Sequence, residues 1–141
     1  MSTLKVTNVA HETSTLNTLV FDNGGGSGNG RVTTKGTIGE ISAVSYASTI
    51  TLDFRTANNF STTLTGNTTF ANPSNISAGQ SGVLFITQDT TGGRTAAFGS
   101  YWDFSDGTAP TLSTGADAVD MIGWIARSST KISAQFVGNF S

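Results

Sequence analysis

The sequence of 141 residues contains no cysteine, two prolines, one histidine and few charged side chains. Without cysteine the chain can form no disulfide, no thiolate zinc site and no cysteine nucleophile. Charged residues make up 11% of the chain, less than half of the ~25% found in ordinary soluble domains. This composition disfavours a surface built on ion pairs, so we expect packing and backbone pairing to hold the fold together.

Long apolar runs and basic patches are also missing. No run approaches the roughly 18 apolar residues of a membrane helix, and the N-terminus lacks the apolar core of a signal peptide. The net charge is −2 and the isoelectric point is near 5.0, which argues against electrostatic capture of nucleic acid. We therefore expect neither membrane insertion, nor Sec export, nor a nucleic-acid partner.

Small polar residues replace the missing charges. Thr (24), Ser (17), Asn (10) and Gly (17) together fill 68 of the 141 positions. Thr favours strands, whereas Ser, Asn and Gly favour turns. The helix formers Lys and Glu number only three and two. The composition predicts an all-β protein with a structural or binding role rather than a catalytic one.

A glycine-rich segment divides the chain. Residues 23–30 include five glycines, and such a stretch leaves the backbone almost unrestricted. We therefore predict an N-terminal arm and linker over residues 1–30 and a β domain over residues 31–141. In the arm, a short apolar run is the predicted partner-binding segment, formed by Leu16, Leu19, Val20 and Phe21. The alternative is that the arm supplies the first two strands of the main domain.

Short strands and turns follow at regular intervals. Ile50, Leu52 and Phe54 alternate with polar residues, as expected of a half-buried strand. Near the C-terminus, residues 118–127 and 131–137 predict a β-hairpin, with Ile122 and Trp124 on one face of the first strand and Ile125 on the other. The spacing predicts an antiparallel β-sandwich or jelly-roll-like domain with an extended N-terminal arm.

Few residues suggest chemistry. The single histidine, His11, lies in the arm, and we interpret it as solvated or as part of an interface. Asp103 and Asp106, or Asp117 and Asp120, could contribute to a calcium site, but two carboxylates are far fewer than the six to eight oxygens that the ion requires. We therefore predict no catalytic residue, no metal and no cofactor.

Aromatic residues offer a candidate for ligand binding. Tyr101, Trp102 and, separately, Trp124 could stack on sugar rings if they lie on a polar β surface. The alternative is that these large rings fill the core or a subunit interface.

The segment from Ile50 onward resembles a module that recurs in structural proteins of tailed bacteriophages. The motifs that carry the resemblance occur in order along some 90–100 residues; they include Ile50-Thr51-Leu52-Asp53-Phe54, Leu64-Thr65-Gly66-Asn67, Ile86-Thr87-Gln88-Asp89 and Phe98-Gly99-Ser100-Tyr101-Trp102. The opening Met1-Ser2-Thr3-Leu4-Lys5-Val6 is similar to the start of many virion proteins, particularly those of aquatic phages.

The resemblance implies a virion protein made in the host cytoplasm and placed on the exterior of the particle. Because fibre proteins are usually much longer, we favour a capsid decoration (cement) protein that binds the major capsid protein, or another virion protein, through its arm. The alternative is a short tail-fibre or head-fibre adhesin that binds a host-surface glycan. An enzyme, such as a depolymerase, is the least favoured hypothesis. The resemblance also implies a homotrimer.

Overall fold

The computed structural model describes residues 38–140, and this part of the chain is built from strands. Nine strands occur in it; they are β1 (Ile41–Ala43), β2 (Thr49–Ile50), β3 (Asn59–Leu64), β4 (Thr68–Phe70), β5 (Ser81–Gln88), β6 (Ala96–Phe98), β7 (Trp102–Phe104), β8 (Val119–Ser128) and β9 (Lys131–Phe140). A single 3₁₀ turn, Ser105–Gly107, follows β7. The arm, His11 and the predicted boundary at residues 30 and 31 lie outside the described residues.

The strands form two sheets with a shared core. One sheet has six strands in the order β1-β3-β5-β8-β9-β7, and the other has three in the order β2-β4-β6. Side chains from both sheets form one buried cluster, which includes Ile50 and Phe70 from the small sheet and Phe60, Leu84 and Ile122 from the large one. The predicted all-β, sandwich-like class is confirmed.

The direction of pairing differs from the antiparallel arrangement that we predicted. From β1 to β6 the chain crosses from one sheet to the other after every strand, so successive strands within each sheet run parallel. We call one strand of the large sheet and the following strand of the small sheet a rung. In the large sheet, residue 41 pairs with residue 59 and residue 59 pairs with residue 83, so paired residues are 18 and 24 positions apart in the chain. Such offsets suit parallel pairing, which needs a connection of a dozen or more residues.

The predicted C-terminal hairpin is confirmed and completes the large sheet. Strands β8 and β9 pair antiparallel, and β8 also pairs antiparallel with β5. Ile122 and Trp124 of β8 are buried, whereas the side chain of Ile125 is 49% exposed, as the alternation of a strand requires. We call the side of the six-stranded sheet that points away from the core the outer face.

Aromatic stacking joins the hairpin to the rungs. The rings of Trp124 and Phe54 lie face to face with centroids 4.0 Å apart, and Phe54 also stacks on Phe60 at 5.8 Å. Trp102 packs edge-on against Phe54 and Phe98, and its Nε1 donates to the carbonyl oxygen of Ala71 at 3.2 Å. Aromatic pairs of this kind contribute about 0.5–1.5 kcal/mol each beyond the area that they bury.

Polar side chains organise the turn between β5 and β6. The buried Gln88 side chain accepts from the backbone N–H of Arg94 at 2.8 Å and donates to the Arg94 carbonyl oxygen at 2.9 Å. The neighbouring Asp89 carboxylate accepts hydrogen bonds from the Arg94 guanidinium and from the backbone N–H groups of Thr91 and Gly92. The bond from Arg94 contributes most to lowering the pKa of Asp89 below its ordinary value.

Two glycines in neighbouring strands give a matched test of the packing. A Cβ at residue 82 would clash with the backbone of Asn58 and lie 3.0 Å from the Trp124 ring, whereas a Cβ at residue 123 would meet no atom within 4 Å. We predict that Gly82→Ala lowers the free energy of unfolding by about 2 kcal/mol or more, and that Gly123→Ala leaves it equal or slightly higher. Equal losses in urea unfolding would contradict this packing.

The Asp89 carboxylate predicts a loss of stability in acid. Because its pKa is lowered in the folded state, the unfolded chain binds the proton more readily, and the contribution of Asp89 to stability disappears as the pH falls below about 4. Urea unfolding should therefore show wild type more stable than Asp89→Asn at pH 7, with the difference shrinking as the pH falls through the folded-state pKa. An equal difference at pH 7 and pH 2.5 would contradict this role.

Candidate ligand-binding groove

The outer face carries an open groove over the middle of the hairpin. The groove has a volume of about 540 Å³, within the ~300–1,000 Å³ range of small-molecule sites. We call it the Gly123 groove, and its lining residues are Asp103, Phe104, Ser105, Gly123, Trp124, Ile125, Arg127, Ser133, Ala134 and Gln135.

Strand register brings the outer side chains of the groove together. Gly123 on β8 pairs with Gln135 on β9, and Ile125 pairs with Ser133 in the next outward row. On the other side of β9, Asp103 of β7 pairs with the same Ser133. The apolar side chain of Ile125 on β8 therefore lies near the Ser133 hydroxyl and the Gln135 amide of β9 and the Asp103 carboxylate of β7.

Gly123 leaves open space in the groove. A glycine inside a strand weakens it and often marks a place where a ligand or another backbone approaches closely. Here the position above Gly123 is open space, between the paired residues Val83 and Gln135. A side chain at residue 123 would fill the groove without a clash against the fold.

Asp103 is the centre of the charges at the groove. Its Oδ2 pairs with the guanidinium of Arg127, and its Oδ1 lies 3.1 Å from the Nζ of Lys131. The three side chains are 38–55% exposed, so these pairs contribute little to stability. Asp103, Arg127 and the outward side chain of Gln135 supply both donors and acceptors of hydrogen bonds.

Two further depressions lie elsewhere on the described part of the chain. One, of about 390 Å³, lies beside β1 and β3 and is lined by residues that include Tyr46 and Thr63. The other, of about 400 Å³, lies beside Arg55 and Asn75. There, Asn75 donates to Asp53 at 2.7 Å and Arg55 donates to Asn75 at 3.1 Å, so these groups hold one another, and the Asn75 bond lowers the pKa of Asp53.

The predicted aromatic residues have different locations. Trp102 and Trp124 are 6% and 4% exposed, so both fill the core, the alternative that the sequence left open, rather than a sugar-stacking surface. Tyr101 is half-buried and packs against the core. Trp124 still determines which residues of β8 face the groove. Because its side chain points into the core, positions 123 and 125 face outward.

Two of the four acidic residues considered for calcium are held by other groups of the protein. Asp103 is held by Arg127 and Lys131, whereas Asp120 is fully buried and accepts from the backbone N–H groups of Ser113 and Asn139 at 2.8 and 3.0 Å. Within residues 38–140 no group of three or more His, Cys, Asp or Glu side chains could hold a metal ion. The arm residues Leu16, Leu19, Val20 and Phe21 lie outside the described residues.

The amino-acid sequence contains no direct signal for the groove. Asp103 and Arg127 lie 24 residues apart in the chain, and no motif joins them. A glycine in the middle of a strand with alternating apolar residues is the one signal that could have indicated it.

One comparison with known proteins identifies the family. Residues 32–127 match the sequence model of a family described as "Putative phage tail fibre C-terminal domain". The match covers 96 of the 141 residues (32 to 127, both included). The chain belongs to this family. The resemblance to tailed-phage structural proteins is thereby confirmed, and the chain is a phage structural protein of the fibre type and a virion component.

The match also favours one of the two leading hypotheses of function. It gives no support to a capsid decoration protein and fits the fibre-type alternative better.

No curated protein and no solved structure matches the chain. No helix in the described residues is long and apolar enough to cross a membrane. Strand β9, which supplies Ser133 and Gln135 to the groove, follows the matched segment.

Proposed function

We propose that this chain is a fibre-type adhesin, placed on the exterior of the virion, that binds a host-surface glycan in the Gly123 groove. The family match supports a fibre protein, and the observation that carries the binding role is the groove itself. It joins an open glycine position and an exposed apolar side chain, Ile125, to a cluster of hydrogen-bonding groups.

The chemistry of the groove suits a saccharide. A sugar ring presents hydroxyl groups that both donate and accept hydrogen bonds, beside C–H faces that are apolar. Asp103 accepts, Arg127 donates and Gln135 does both, while Ile125 offers an apolar contact at the same level of the sheet. The role is binding rather than catalysis, in keeping with a structural family.

Assembly into several copies would strengthen such a site. Open surface grooves bind weakly, and linked copies gain avidity because the second binding event becomes intramolecular. The homotrimer implied by the resemblance stays a prediction, which light scattering of the purified protein tests. Attachment to the virion through Leu16, Leu19, Val20 and Phe21 likewise stays a prediction.

Filling the groove should abolish binding without harming the fold. We predict that the full-length chain is retained on at least one immobilised polysaccharide from a panel of dextran, mannan, alginate and polygalacturonate. Gly123→Val should lose this retention and keep the melting temperature, because the space above residue 123 is open and Val favours strands.

Thr63→Val is the matched control, since it places the same side chain at an exposed position of β3 beside the second depression. It should bind like wild type. Loss of binding in Thr63→Val alone would place the site beside β1 and β3. If no polysaccharide is retained and Gly123→Val changes the oligomeric mass, the outer face is a contact between copies and the proposed function is wrong.

A further inference from the structure

We infer that the Gly123 groove selects an anionic saccharide, one that carries a carboxylate or phosphate group. This inference rests on the proposed function and specifies its ligand class. It follows from how the few charges of this chain are distributed, because two of the four basic residues in the described part meet at a single acid beside the groove.

Each of the two other basic residues in the described part of the chain lies beside one acid. Arg94 pairs with Asp89 at 2.8 Å, and Arg55 lies close enough to Asp53 to lower its pKa by charge attraction. At the groove, by contrast, Arg127 and Lys131 share Asp103. The cluster of Asp103, Arg127 and Lys131 therefore carries one net positive charge, in a protein whose net charge is −2.

The Arg127 guanidinium has hydrogen-bonding capacity to spare. Within residues 38–140 its only acceptor is the Asp103 carboxylate, reached from a single terminal nitrogen. A guanidinium carries five N–H donors in a fixed plane and binds carboxylate or phosphate through two parallel hydrogen bonds. Its side chain is 55% exposed and lines the groove, so an anionic group on a bound saccharide can reach the remaining donors.

A neutral saccharide would use the same groove less well. Covering Arg127 removes water from a charged group, and that cost is offset only if the ligand supplies a charge or strong acceptors. The aspartate beside the groove does not cancel this preference, because it already serves two cations. Of the charged residues around it, only Asp103 and Arg127 line the groove, whereas Lys131 and the exposed Asp106 lie outside its lining.

The test compares the full-length chain on two matched pairs of probes at about 0.15 M salt. One pair is polygalacturonate and its carboxyl-reduced form, and the other is phosphomannan and neutral mannan. We expect the charged member of at least one pair to bind about ten-fold or more tightly than its neutral partner, and the pair that shows the difference identifies carboxylate or phosphate as the ligand group. Raising the salt should weaken this binding.

Variants with opposite charge changes separate recognition from structure. Arg127→Gln should weaken binding of the charged probe about ten-fold, because it removes a charge-assisted hydrogen bond worth about 1.5 kcal/mol. Asp103→Asn should strengthen binding about two- to five-fold, since a surface charge interaction of up to about 1 kcal/mol corresponds to such factors. If Asp103 only maintained the groove, Asp103→Asn would weaken binding instead.

The controls carry the same charge changes away from the groove. Arg94→Gln and Asp117→Asn lie beside the turn after β5, and Asp117 has a φ of 58° that asparagine adopts readily. Both should bind like wild type, because neither residue lines the groove. Equal binding of neutral and charged probes, or weaker binding by Asp103→Asn, would overturn this inference and leave the proposed function standing. Binding to no probe would overturn both.

Discussion

The stacking of Trp124 on Phe54 is the contact on which the rest of the arrangement depends. The two rings lie 4.0 Å apart and join the C-terminal hairpin to the parallel rungs. Because a strand alternates its side chains, fixing Trp124 inward sends Gly123, Ile125 and Arg127 to the outer face. The core contact therefore determines which residues can form a binding surface.

Backbone pairing gives that surface its rigidity. The chain has no cysteine, and the exposed ion pairs at Asp103 contribute little to stability. Strands β5, β8 and β9 instead form the long central part of the six-stranded sheet, and the groove lies on two of them. A site on paired strands holds its side chains more firmly than a site on loops. The chain has few charged residues, and strand pairing holds the few polar groups of the groove in place.

The sequence predicted local alternation well and long-range pairing poorly. The faces of β8 could be read directly from Ile122, Trp124 and Ile125. Ile50, Leu52 and Phe54 are buried as the alternation predicts, but the strand that we expected over them ends at Ile50. The parallel direction could not be read, because a turn signal does not tell whether the chain returns to the same sheet or crosses to the other one.

The same limit applies to the site. Trp102 and Trp124 were candidates for the surface and for the core, and only the packing against Phe54 distinguishes the two. The Asp103 cluster unites residues that are 24 and 28 positions apart, and its assembly depends on the parallel pairing of β7 with β9. The spacing of Asp103 and Asp106 suggested only a weak calcium site and did not indicate that Asp103 faces two cations.

The most direct test of the account is to map the bound ligand on the protein. Backbone amide signals of the full-length chain would be recorded by nuclear magnetic resonance during titration with short oligomers of galacturonic acid. The account predicts that the largest shifts fall at residues 103–105, 123–127 and 133–135, with small changes beside Tyr46 and Arg55. Saturable shifts centred on either of the other two depressions would contradict the assignment of the Gly123 groove.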